Sequence, residues 1–184
     1  MDRRAAIATY RAAFAILTIA AILTQLVDLS AKGTLDPFNY FSYFTIQSNL
    51  IATAVLLVGA ARWRSAQSSL FDLVRGGAVV YMSVTGIVFT LLLSGTDVDT
   101  AIPWVNTVVH QLMPIVVVVD WLLDPPTARL TFRQGLLWLS YPAVWIVYIL
   151  IRVRSSGSIP ILSSTLPTAA TAPSRSIALR SSRS

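Results

Sequence analysis

Five long apolar runs divide the chain, and each is long enough to cross a lipid bilayer. They cover about residues 10–29, 41–61, 76–95, 101–123 and 135–151. A helix of about 20 apolar residues spans the hydrocarbon core, and a backbone in lipid must satisfy its own hydrogen bonds. The pattern therefore predicts an all-α fold, a polytopic transmembrane helix bundle with five spans, built from residues 1–152.

The apolar pattern stops after Arg152. Residues 153–184 are rich in Ser, Arg, Pro and Ala and show no apolar period. Such a composition cannot bury enough apolar surface to fold. We therefore expect a disordered tail, and the abrupt change in composition suggests the hypothesis that this tail is read out of frame.

Basic residues cluster on one side of the membrane if the five spans alternate in direction. Eight arginines fall on that side: Arg3, Arg4, Arg11, Arg62, Arg64, Arg75, Arg129 and Arg133. Cytoplasmic loops of membrane proteins carry an excess of Lys and Arg. The sequence therefore predicts a multi-pass protein of the cell membrane with its N-terminus in the cytoplasm.

Composition supports the membrane class, because 55% of the residues are hydrophobic and only 12% are charged. The net charge of +6 does not indicate nucleic acid, since the basic residues outside the tail are dispersed between apolar runs. Membrane lipids are the expected partners. The absence of cysteine and the single histidine exclude thiolate and multi-histidine metal sites within one copy. We accordingly expect neither a metal nor a cofactor.

Polar side chains interrupt the second and fourth runs. Burying a polar side chain within a membrane helix costs free energy. The candidates are Thr45, Gln47, Ser48 and Asn49 in the stretch YFTIQSNL, and Asn106 and His110 in NTVVHQLMP. Residues four apart share one face of a helix, so Thr45 lies above Asn49, and Asn106 above His110. Pro114 lacks an amide proton, and we expect it to leave the backbone oxygen of His110 free and to bend the helix.

Each of these residues also has a purely structural interpretation. A threonine in a membrane helix usually bonds to the carbonyl four residues before it, and intramembrane asparagines commonly join neighbouring helices. A lone histidine in a span indicates function more strongly, because it can accept and release a proton.

At YFTIQSNL and NTVVHQLMP the sequence resembles the androgen-induced-gene family of multispan membrane proteins, together with actinobacterial integral membrane relatives of unassigned role. The similarity extends from about the first span to YPAVWIVYILIR. It implies a hydrolase of fatty acid esters of hydroxy fatty acids, with the nucleophile at Thr45 and the base at His110. Members look like six-span proteins, whereas this chain carries its tail in place of a sixth span.

Three functional hypotheses follow. In the first, the chain is an intramembrane hydrolase of lipid esters, with Asn49 or Asn106 stabilising the oxyanion and Gln47 and Ser48 as polar support. In the second, the chain binds a lipid or a partner without catalysis, and the same groups stabilise the bundle. In the third, it is a small carrier with His110 as the titrating group, which the lack of a second mid-membrane ionisable residue disfavours.

Overall fold

The computed structural model describes residues 2–93 and 102–156, and all the regular structure in these two ranges is helical. The α-helices are Arg3–Ala31, Pro37–Tyr40, Phe44–Ala61, Ser69–Val88, Pro103–Thr107, Met113–Leu123, Phe132–Leu137 and Ser140–Ser156. Two segments have the wider π-helical turn, Phe89–Leu93 and Val108–Leu112, and each continues an α-helix without a break.

Five helical segments of the described chain are long and apolar enough to cross a membrane. They are numbered span 1 to span 5 and comprise Arg3–Ala31, Phe44–Ala61, Ser69–Leu92, Pro103–Leu123 and Phe132–Arg154. The predicted all-α bundle of five spans is confirmed. The last helix of the described residues ends at Ser156, a few residues beyond the expected start of the tail, and the rest of the expected tail lies outside these residues.

Span 3 begins at Ser69, seven residues before the boundary that hydropathy predicts at residue 76. The Ser68 hydroxyl caps this helix by accepting a hydrogen bond from the amide of Phe71 at 3.2 Å. The added turns contain Asp72 and Arg75, which are both buried. The prediction started the span too late because hydropathy treats a charged side chain as a loop residue, whatever its partners are.

Small residues allow spans 1 to 4 to pack closely around one core. Ala15, Ala21, Ala52 and Ala78 are completely buried at the interfaces between these spans. Because lipid tails are as apolar as the helices, close packing and polar contacts stabilise such a bundle more than burial does. Spans 1 to 4 therefore form a compact unit.

A buried ion pair joins span 1 to the end of span 4. The Arg11 Nε atom lies 2.6 Å from Asp120 Oδ1, and Arg11 Nη2 lies 2.8 Å from Asp124 Oδ2. Asp120 is only 2% exposed. This carboxylate is a buried partner of two arginines.

The second of these arginines belongs to span 3. Arg75 Nε lies 3.4 Å from Asp120 Oδ2, and its guanidinium lies 5.1 Å from the centre of the Trp121 ring. Arg75 also lies within 4 Å of carboxylate oxygens of Asp72 and Asp124. We call Arg11, Asp72, Arg75, Asp120 and Asp124 the buried charge network; it joins spans 1, 3 and 4 at the arginine-rich end of the bundle.

Span 5 is attached differently, because none of its most apolar stretch is buried. Its aromatic side chains instead donate hydrogen bonds to other elements. Trp138 Nε1 donates to the carbonyl of Leu73 at 2.8 Å, and Trp145 Nε1 donates to the carbonyl of Ser42 at 2.8 Å. A Cβ atom at Gly76 would lie 2.2 Å from the Trp138 ring, so only glycine permits this contact.

Replacing Asp120 by Asn should strongly destabilise the protein, because Arg11 and Arg75 would both lose a buried counter-charge. Removing one partner of a buried ion pair typically costs about 3–5 kcal/mol. The melting temperature of the detergent-solubilised variant is the measurement. Asp28→Asn is the matched control, since Asp28 pairs at 2.8 Å with the exposed Lys32. Equal melting of the two variants would contradict a structural role for the network.

Candidate functional site

The polar residues of span 2 lie in its first two turns. Thr45 follows the first residue of the helix and is partly buried, whereas Ser48 and Asn49 are completely buried. Tyr43, the residue before the helix, provides no side-chain cap. The polar stretch that is unusual in the sequence is therefore a helical face turned into the bundle.

Span 4 changes its hydrogen-bond register just before Pro114. The Met113 amide donates to the carbonyl of Val108, five residues earlier, as in a π-helix. In that register the next amide would donate to Val109, but the next residue is Pro114, which has no N–H. The π register therefore makes Val109 a second carbonyl affected by the missing Pro114 amide, and the expectation that the oxygen of His110 lacks its backbone donor stays a prediction.

Asn49 supplies the donor that Pro114 lacks. Its Nδ2 atom donates to the carbonyl of Val109 at 3.0 Å and to the carbonyl of Thr45, one turn earlier in its own helix, at 2.9 Å. A buried carbonyl without a partner would be costly in lipid. This side chain therefore holds the turn that carries Thr45 against the turn that carries His110.

His110 is held on two sides. Its Nδ1 atom lies 3.2 Å from the carbonyl of Asn106, and its ring stacks on Phe89 with the centroids 4.5 Å apart. A carbonyl can only accept, so Nδ1 carries the proton and Nε2 is the basic nitrogen of the neutral ring. The sequence predicted that Asn106 and His110 share one face of the helix, but nothing in it indicated the contact between His110 and Phe89.

Spans 3 and 4 approach each other closely beside this histidine. A Cβ atom at Gly86 would lie 2.9 Å from Cβ of Pro114, a distance that would force the helices apart. Phe89 begins the π-helical turn of span 3, and His110 lies in that of span 4. Two adjacent spans thus leave regular α geometry at the same level. Such π-helical turns are frequent at functional sites.

The structure does not join all the predicted site residues. Within residues 2–93 and 102–156, no hydrogen bond links the Thr45 hydroxyl to the His110 ring, so their partnership stays a prediction. Gln47 turns to span 5, where its Oε1 atom accepts from the Tyr141 hydroxyl at 2.6 Å. Gln47 Nε2 donates to the carbonyl of Phe41 at 2.7 Å. Gln47 therefore supports the bundle.

Three buried polar atoms of span 2 have no hydrogen-bond partner in the described part of the chain. They are Ser48 Oγ, Asn49 Oδ1 and Thr53 Oγ1. Asn49 and Thr53 are four residues apart and share the face that also carries Thr45. Buried polar atoms in natural proteins are nearly always hydrogen-bonded, so this face has bonding capacity for a polar group.

Two cavities of about 380 Å³ each lie towards the arginine-rich end, and neither is lined by Thr45 or His110. The described residues also contain no group of three His, Asp or Glu side chains arranged to hold a metal ion.

Comparison of the chain with protein-family models, with curated proteins and with solved structures gave no match. The resemblance to the androgen-induced-gene family accordingly stays a prediction. A proposal of function therefore rests on the geometry around Asn49 and His110.

Replacing Asn49 by Leu should destabilise the protein by about 1–2 kcal/mol, because the carbonyl of Val109 would lose its donor. The same change should cost much less in a Pro114→Ala background, where the restored amide lets the backbone satisfy Val109. Unfolding titrations in detergent would complete this double-mutant cycle. Asn106→Leu is the control and should cost the same in both backgrounds. A cost for Asn49→Leu that is independent of residue 114 would disprove the compensation.

Proposed function

We propose that this chain is an integral membrane hydrolase of fatty acyl esters, with Thr45 as the nucleophile and His110 as the general base. The observation that carries the proposal is the hydrogen bond between His110 Nδ1 and the carbonyl of Asn106, which fixes Nε2 as the basic nitrogen. The bonds of Asn49 to Thr45 and Val109 support the pairing, because they hold the two turns together.

A threonine hydroxyl is a weak nucleophile and needs a base to take its proton. In the proposed reaction, His110 Nε2 removes the Thr45 proton while Oγ1 attacks the acyl carbon. The tetrahedral intermediate collapses, the C–O bond to the alcohol breaks, and the alkoxide takes the proton from His110. A water molecule then attacks the acyl-threonine with His110 again as base, which releases the fatty acid and regenerates Thr45.

The oxyanion needs a hydrogen-bond donor, and the two asparagines differ in what they can offer. Asn49 Nδ2 already donates to two carbonyls. The Asn106 amide makes no side-chain hydrogen bond in the described ranges, and this residue lies one turn from His110. We therefore assign oxyanion stabilisation to Asn106 and positioning to Asn49.

A lipid ester is a suitable substrate for residues within the membrane spans, because it can reach them by lateral diffusion in the bilayer. In the proposed orientation the N-terminus lies in the cytoplasm, and the chain resides in the cell membrane. The support for this orientation is the set of arginines that the alternating spans bring to one end.

A second candidate is a non-catalytic membrane protein that binds a lipid or a partner. The observation that favours it is the use of polar groups within the bundle: Asn49 bonds to backbone carbonyls, and Gln47 bonds to Phe41 and Tyr141. In this alternative, His110 packs on Phe89 only to fill space between spans 3 and 4.

The catalytic pair should be recognised by the pattern of its variants. The rate at which free acid is released from a fluorescent fatty acyl ester should fall to the same residual value in Thr45→Ala, His110→Ala and the double variant. The reason is that neither residue can act in catalysis without the other. Thr45→Ser should keep measurable turnover, since it retains a hydroxyl.

Thr107→Ala is the matched control, because this exposed threonine also belongs to span 4 and its hydroxyl donates to the carbonyl of Pro103 at 3.0 Å. It should retain full activity. Near-normal turnover in folded His110→Ala protein would exclude the proposed mechanism, and an inactive wild type with all variants folded would favour the non-catalytic candidate.

The orientation can be tested with single cysteines, since the chain has none of its own. Thr34 and Ser65 lie in exposed loops at opposite ends of the bundle. An impermeant maleimide should label Thr34→Cys on intact cells and Ser65→Cys only after permeabilisation. The reverse pattern would show that the N-terminus lies outside.

A further inference from the structure

One of the two cavities opens at the arginine-rich end, between the start of span 1 and the loop from span 2 to span 3. It has a volume of about 380 Å³, and its lining includes Arg4, Arg11, Arg62, Trp63 and Ser68. Nothing in the proposed hydrolysis uses this cavity, because Thr45 and His110 belong to neither cavity.

The charged residues that line this cavity are three arginines, Arg4, Arg11 and Arg62, and one carboxylate, Asp124, so the lining carries an excess of positive charge. The guanidinium of Arg11 is neutralised by Asp120 and Asp124 in the buried charge network. Arg4 and Arg62 are exposed, and neither side chain forms an ion pair with any described residue. The cavity therefore presents two uncompensated guanidinium groups, which are suited to binding a phosphate.

The second cavity adjoins the first, since both are lined by Arg62, Ser68 and Phe71. Its other lining residues are apolar and come from spans 2 and 3: Ile51, Ala54, Val55, Val58, Leu70 and Val74. The stretch from Ile51 to Val58 extends roughly 10 Å along the helix axis. A groove of this kind fits part of an acyl chain.

We propose that the two cavities together bind one anionic phospholipid from the leaflet at the arginine-rich end. Its phosphate lies between Arg4 and Arg62, and one acyl chain follows the groove between spans 2 and 3. The positive charge favours an anionic headgroup over a zwitterionic one. The groove favours a lipid over a soluble phosphate, because Val58 and Val74, which line it, are exposed on the surface of the spans.

The binding test compares phosphatidylglycerol with phosphatidylcholine on the intact, purified protein. Native mass spectrometry should detect phosphatidylglycerol at least tenfold more tightly bound. The double variant Arg4→Gln/Arg62→Gln should lose this preference. The matched control Arg129→Gln/Arg133→Gln removes two exposed charges that line neither cavity, and it should keep the preference.

Two further outcomes separate the sources of the phosphate. Ala54→Phe fills the groove at an exposed position and should weaken phosphatidylglycerol binding severalfold without lowering the melting temperature. Inorganic phosphate at millimolar concentration should not compete. If both arginine double variants lost the preference for phosphatidylglycerol equally, the attraction would be diffuse. If Ala54→Phe bound phosphatidylglycerol fully, or if inorganic phosphate competed, the site would be one for a soluble anion. Each of these outcomes overturns the proposal. Ester hydrolysis by His110 is measured separately, so either proposal can fail alone.

Discussion

The buried charge network is the constraint on which the rest of the bundle depends. Apolar helix faces in lipid can slide past each other at little cost, because the surrounding tails are as apolar as the helices. A buried arginine without its carboxylate is far more expensive. The pairing of Arg11 and Arg75 with Asp120 therefore fixes spans 1, 3 and 4 along their axes. The network contributes specificity of alignment, which small residues such as Ala15 and Ala78 could not provide alone.

With that alignment fixed, a second constraint operates nearer the other end of the spans. The π register of span 4 and the missing amide of Pro114 leave one carbonyl, that of Val109, without a backbone donor, and a side chain of another span satisfies it. A small axial shift of span 4 would break this bond. The position of His110 relative to Thr45 is thus linked, through Asn49, to charges at the far end of the bundle.

Hydropathy predicted the number of spans and, within a few residues, most of their ends, because lipid solubility is a property of composition. It could not predict that Asp72 and Arg75 are helical and buried, since their cost depends on partners far away in the chain. Helical periodicity placed Thr45 and Asn49 on one face, and Pro114 signalled a disturbed helix. The contact of Asn49 with Val109 and the stacking of Phe89 on His110 had no local signal, because both depend on how spans meet.

The peripheral attachment of span 5 has a consequence for how the protein is made. Spans 1 to 4 contain both the core alanines and the buried charge network, so this unit can complete its packing while the C-terminal part of the chain is still being synthesised. Span 5 then docks through indole and phenol hydrogen bonds on a surface that already exists. Because span 5 contributes no side chain to the buried core of spans 1 to 4, we expect it to dock last among the described spans and to open at a lower free-energy cost than they do.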